Sequence, residues 1–218
     1  MVSFLITKKF QILISISIKF MKKITTYLAI FFVASISSKM AFAQDASKTE
    51  NKYTIEKNHT SVMWIADHFG YSKVSGKFTD ISGEIVFDEK KPQDSSVQVE
   101  IKTDNIATGL PKFEEHLKSK DFFDVKNFPT AKFVSKKIIV EGKKNKAQII
   151  GDLTLLGITK EVILKAEFNK SAPNPMSQKP TIGFSAKTTI NRSDFGMKYA
   201  IPNIADKVEL VIEVEANR

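Results

Sequence analysis

Three histidines, one internal arginine and a cluster of phenylalanines are the residues whose types could do chemistry in this chain. His59, His68 and His116 do not stand at metal-ligand spacing, and with no cysteine and no HExxH helix a zinc site is not expected. Gly183-Phe184-Ser185-Ala186-Lys187 begins like a nucleophile elbow, but Lys187 stands where the closing glycine belongs and the stretch alternates like a strand. Asp194-Phe195-Gly196 spells the metal-binding tripeptide of kinases with no glycine-rich loop or catalytic loop to accompany it, so the match is chance. Acidic residues mostly alternate with apolar ones, the pattern of a solvated sheet face and not of a catalytic carboxylate pair.

Two features resist so bland a reading. Residues 119–128, SKDFFDVKNF, set Phe122, Phe123 and Phe128 among charged and polar neighbours with neither strand nor helix periodicity, so aromatics occupy a loop. Beyond residue 43 the chain has 25 lysines and two arginines, of which Arg218 is terminal. Where lysine is the default cation, Arg192 between Asn191 and Ser193 suggests use of its planar fork. One reading gives the fork a carboxylate or phosphate head group; the other pairs it with Asp194 or another nearby acid to hold a strand end.

The elements that must position these residues begin after a targeting segment. From Met21 the chain reads MKKITTYLAIFFVASISSKMAFAQ, a two-lysine start, an apolar run and the small-x-small motif Ala41-Phe42-Ala43, which predicts a secretory signal peptide cleaved after Ala43. The twenty residues before Met21 read as an upstream extension, Met21 being the expected initiator. Residues 1–43 hold six lysines and no acid, so without them the formal charge of +9 falls to +3 and basicity gives no support to nucleic-acid binding. The remaining 175 residues suffice for one domain with a sizeable core, held without disulfides. These features predict a protein of the bacterial envelope, in the periplasm.

After a polar linker (residues 44–52), period-2 segments follow one another. In KVELVIEVEA, Val208, Leu210, Ile212 and Val214 share one face and Glu209, Glu213 and Glu215 the other, an antiparallel strand with one buried side. Similar patterns run over 61–68, 74–87, 96–103, 131–141, 146–155, 161–168 and 181–190, and eight such strands predict a meander closing into a barrel or a two-sheet sandwich. In LPKFEEHLKSK, Pro111 suits a first helical position, Phe113, His116 and Leu117 fall on one face, and Glu114 can pair with Lys118. This predicts one short helix whose apolar stripe must cover something, followed at once by the phenylalanine pair.

The segments HTSVMWIADHFGYSKVSGKFTDISGEIVFD, NIATGLPKFEEHLKSKDFFDVKNFPTAKFVS, GDLTLLGITKEVIL and INRSDFGM, in this order, resemble the YceI-like family of bacterial periplasmic, polyisoprenoid-binding, lipocalin-like proteins. The Gly-x-Trp signature of lipocalins proper is absent, since Trp64 follows Val62 and Met63. The resemblance implies an all-β fold over 53–218, an eight-stranded antiparallel lipocalin-like barrel with one short helix covering an end. It also implies an interior that holds a polyisoprenoid, an isoprenoid quinone or another long-chain amphiphile, with no cofactor, catalytic group or metal. An eight-stranded barrel is just wide enough for one slender ligand. The expected lining is Trp64, His68, Phe78, Phe113, His116, Leu117, Phe122, Phe123, Phe133, Phe184, Arg192 and Phe195. If Trp64 faces inward on its strand, His68 does too, as a satisfied core histidine or as a ligand contact. Phe113, Leu117, Phe122 and Phe123 either line a cover against the ligand or plug the barrel end as core. The expected role is a non-enzymatic carrier touching membranes only transiently and able to form a homodimer; the alternative is an envelope enzyme on an isoprenoid lipid with His68 or His116 as acid or base.

Overall fold

The computed structural model describes residues 51–142 and 145–218. The expected signal peptide and upstream extension, and all but the end of the linker, lie outside the described residues. Within them the chain forms eleven strand segments: β1 (Lys52–Ile55), β2 (Ser61–His68), β3 (Ser72–Phe78), β4 (Ile81–Val86), β5 (Ser96–Lys102), β6 (Ile106–Ala107), β7 (Thr130–Val140), β8 (Lys146–Leu155), β9 (Ile158–Pro173), β10 (Pro180–Asn191) and β11 (Ile204–Asn217). One helix, α1 (Pro111–Lys118), lies between β6 and β7.

The eleven segments make eight long antiparallel strands. β1 and β2 both pair with β11, through Thr54 to Asn217 and Leu210 to Trp64, so they are one strand interrupted by the turn Lys57–His59. β4 pairs with β1 and β3 with β2; likewise β5 pairs with β4 and β6 with β3. From β5 the order runs β7, β8, β9, β10, β11, and the β1–β11 pairing closes the ring. Closure removes the open sheet edges that would otherwise template aggregation. The expected barrel is therefore present.

Two expectations need correcting at the level of segments. The single strand over 74–87 is broken at Thr79-Asp80, where the Thr79 hydroxyl donates to Asn105 and the Lys57 ammonium to Asp80. The linker was drawn one residue too long: Lys52 pairs with Val86 and Tyr53 with Ile85, so the barrel begins inside it. Four residues with two inward side chains are too short to show a period.

Two buried clusters fill the interior. Trp64, Phe78, Ile106, Leu117, Phe122, Phe133 and Phe195 belong to one, on the side of α1. Tyr53, Ile55, Ile81, Ile85, Phe87 and Ile182 form the other, toward the β4–β5 connection and the C-terminus. Two glycines let rings lie flat on the wall: a Cβ on Gly76 would stand 2.7 Å from the Trp64 ring, and one on Gly151 2.5 Å from the Phe133 ring.

Candidate functional site

Alternation along the strands leaves an apolar interior that is not filled. A cavity of about 490 Å³ lies beneath α1 and a second of about 430 Å³ lies toward the other end. Val62, Ile101, Leu153 and Leu210 line both, so the two abut as neighbouring lobes of the barrel interior. On β11, Val208 and Leu210 line the first lobe and Leu210, Ile212 and Val214 the second. At about 3.4 Å per residue that single face runs some 20 Å along the chamber, a shape suited to a chain and not to a compact molecule.

Nine of the twelve expected lining residues stand around the helix-side lobe: Trp64, His68, Phe78, Phe113, His116, Leu117, Phe122, Phe123 and Arg192. Phe133 and Phe184 line the second lobe. Phe195 lines neither; it is buried at the end of the turn Arg192–Phe195, packed as core. Trp64 and His68 do share the inward face of β2.

The cover is built from irregular chain whose polar groups are met locally. Pro111 opens α1, as expected, but Glu114 does not pair with Lys118. Its carboxylate accepts from the Thr108 amide at 2.6 Å, the Gly109 amide at 2.9 Å and the Thr108 hydroxyl, tying the helix to the strand before it. The Thr108 amide first, with the Gly109 amide and the Thr108 hydroxyl, holds that carboxyl below its ordinary range, with desolvation opposing them. After the helix the Phe122, Phe123 and Asp124 amides donate to Ser119, Leu117 and Ser119 carbonyls, folding SKDFF back under α1. The Thr103 hydroxyl, almost wholly buried, donates to the Phe128 carbonyl at 2.8 Å.

This folding answers why aromatics occupy a loop. Phe123 meets Phe78 edge-to-face at 5.3 Å, and Phe122 packs among His116 and Tyr199 at 5.1 and 5.3 Å. Trp64 meets Phe113 at 6.3 Å, and its Nε1 is buried with no hydrogen-bond partner among the described residues. His116 Nε2 contacts the Asp121 carboxylate at 3.0 Å.

Arg192 does not make the ion pair that was one of its two expected roles. Asp194 accepts from the Asn191 side chain instead, and no carboxylate ion-pairs with Arg192 among the described residues. Its Nε donates to the Ala205 carbonyl at 3.0 Å, Nη1 to Met197 at 3.2 Å, and Nη2 to Tyr199 at 2.8 Å and Ile204 at 3.0 Å. The guanidinium is thus a clamp on the connection between β10 and β11, with Phe122 6.0 Å from its centre. Burial lowers its pKa and the nearby Asp206 charge opposes the shift. Carbonyls spread over nine residues, from the loop into the start of β11, leave no local sequence pattern, so the clamp could not be read beforehand. Tyr199, which also lines the lobe, went unnoticed for the same reason.

Comparison with known proteins places this geometry. The model of the YceI-like domain matches residues 53–216. A UPF0312 protein of Pseudomonas putida (strain W619) is 38% identical over 168 residues, covering 77% of this chain and 86% of that protein. The YCEI protein of Campylobacter jejuni superimposes with a TM-score of 0.62 at 33% identity, over 70% of this chain and 89% of that one. A polyisoprenoid binding domain from Saccharophagus degradans shares the fold alone, at 12% identity and a TM-score of 0.59, over 76% of this chain and 97% of that domain.

Proposed function

This chain belongs to the YceI-like family, and from that premise we propose that it is a binding and carrier protein of the periplasm, holding one long-chain isoprenoid lipid lengthwise in its barrel. The observation that carries the reading is the two-lobed apolar chamber, with strand faces that run unbroken from one lobe to the other. Cavities of a few hundred Å³ lined by apolar side chains are the usual form of small-molecule sites. Such a chamber favours an apolar chain over water, because each Å² removed from water contributes roughly 25 cal/mol. The Saccharophagus domain, described as polyisoprenoid binding, supports the choice of an isoprenoid. The targeting pattern of residues 21–43 supports the compartment.

Extraction of the protein from a native envelope fraction into organic solvent, followed by mass spectrometry, tests the reading. The expected result is one unmodified polyprenyl lipid or isoprenoid quinone per chain. An extract without lipid would overturn it.

A second reading has one observation in its favour. His116 stands at the cavity with Asp121 beside one ring nitrogen, an arrangement that can orient a general base for an enzyme acting on the same lipid. Incubation of the protein with prenyl pyrophosphate separates the two: release of phosphate that stops in His116→Gln supports catalysis, and recovery of intact lipid supports carriage.

A further inference from the structure

We propose that the end of the barrel beneath α1 is a docking surface for a lipid bilayer bearing anionic head groups, with the β2–β3 hairpin as its inserting tip. The inference deepens the carrier reading and rests on it. Tyr71 is 92% exposed and Phe69 51% exposed at the tip of that hairpin. Leu110, 62% exposed, and Tyr199, 44% exposed, stand at the same end and also line the helix-side lobe. Apolar surface therefore continues from the outside of the protein into the chamber.

The hairpin tip is held in place. Phe69 and Gly70 have φ of 57° and 73°, the left-handed pair of a tight turn in which Asn-Gly is the favoured sequence. A bulky phenylalanine there is strained and outward-facing, a choice that the turn itself does not require. The Tyr71 amide donates to the His68 carbonyl, the Gly70 amide to the Asp67 carboxylate, and the Phe69 amide to the Asn203 carbonyl, which fastens the tip to the connection clamped by Arg192. Protruding aromatics on a firm support can enter the head-group region of a bilayer singly, whereas a protein partner needs a continuous patch.

The charge beside the tip fits the same occupant. Lys73, Lys112 and Lys198 flank these residues, and none takes part in an ion pair among the described residues. Asp67 and Glu114 keep their charge there but turn it onto the Gly70, Thr108 and Gly109 amides. Free lysines beside exposed aromatics are the combination that anionic lipid surfaces attract. At the opposite end, among the described residues, Met176 is the apolar side chain exposed beyond half, with Ile139 and Val140 less so.

Sedimentation with phosphatidylcholine vesicles, with and without phosphatidylglycerol, tests this on protein beginning at Gln44, which contains all eight strands. The expected result is binding that requires phosphatidylglycerol. It should fall about tenfold or more in Phe69→Asn/Tyr71→Ser and stay unchanged in Met176→Ser. Asn suits the left-handed turn, and Tyr71→Ser alone, at the more exposed position, gives a partial loss free of folding effects. Quinone binding without vesicles, followed by emission from Trp64, should be the same in all four proteins. Equal sedimentation of wild type and double variant, an equal loss in Met176→Ser, or a dimer that the double variant dissolves without vesicle binding would each overturn the docking surface. Failure of the quinone titration in wild type would instead count against the carrier reading.

Discussion

The two ends of the barrel are lined by the same strand faces and closed by different means. At the far end Phe87, Phe168 and Phe184 pack within 5.2 to 5.5 Å of one another, and the rim is made of strand ends and hairpins such as Glu89, Asn145 and Lys146. At the near end the chain leaves the ladder for two stretches, 108–129 and 192–203, which cross the opening. Ladder backbone satisfies itself, but irregular backbone beside an apolar chamber needs donors and acceptors from side chains. Glu114, Thr103 and Arg192 supply them, and of the three Thr103 and Arg192 also stand in the wall of the helix-side lobe.

The sharpest way to break that contrast is Arg192→Met. It keeps apolar volume but removes the donors of four carbonyls, and it should cost about 3 to 5 kcal/mol in chemical unfolding. Phe184→Ala, at a half-buried member of the far trio, should cost less, about 2 kcal/mol. If Arg192→Met unfolds at the wild-type midpoint while losing affinity for a prenyl pyrophosphate but not for a quinone, Arg192 serves a head group and the clamp is incidental.

Next in size are the cover phenylalanines. Phe122 is buried and Phe123 half-buried, so Phe122→Ala should cost about 3 kcal/mol and Phe123→Ala about 1 to 2 kcal/mol, in the range for truncating packed aromatics. Lipid retained per folded molecule should fall in both if they face the ligand. Loss of folding with full occupancy of what remains would make them a plug. Of similar size to Phe123→Ala are Gly76→Ala and Gly151→Ala, each about 1 to 3 kcal/mol through overpacking of a ring. Trp64 emission should shift in the first and hold in the second, since only Gly76 lies under that indole.

This asymmetry also explains what could be read from the sequence. Period-2 alternation located the strands because one face of each meets the chamber, and Val208 to Val214 is its clearest stretch. The break at Thr79-Asp80 does leave a mark, since the inward positions move from Val74, Gly76 and Phe78 before it to Ile81, Ile85 and Phe87 after it. The helix and the phenylalanine pair were legible as an apolar stripe in need of cover. The roles of Glu114 and Arg192 were not: each type suggested an ion pair, and each instead serves backbone groups that only the folded connection brings within reach. Phe195 was counted as lining by its type alone, and burial in the turn takes it out of the chamber.

The finest distinction between the ends concerns acid. Asp206, at the start of β11, accepts the Ser193 hydroxyl at 2.7 Å and the Ser193 amide at 2.8 Å, beside the Arg192 clamp. The hydroxyl first, then the amide and the Arg192 charge, hold its carboxyl below the ordinary range, with burial opposing them. A carboxyl whose folded pKa is depressed contributes stability that is fully present above its unfolded value, near 3.9, and is lost as pH falls through the folded value. Asp206→Asn keeps one acceptor and loses the charge, so at pH 7 it should be less stable by about 1 kcal/mol, allowing for partial exposure. Below about pH 3 wild type and variant should converge, because both then carry a neutral side chain. Unfolding midpoints of the two proteins between pH 7 and pH 2.5 check this. A gap that persists unchanged at the lowest pH would mean that Asp206 acts through shape and not charge, and that the near end is held no differently from the far one.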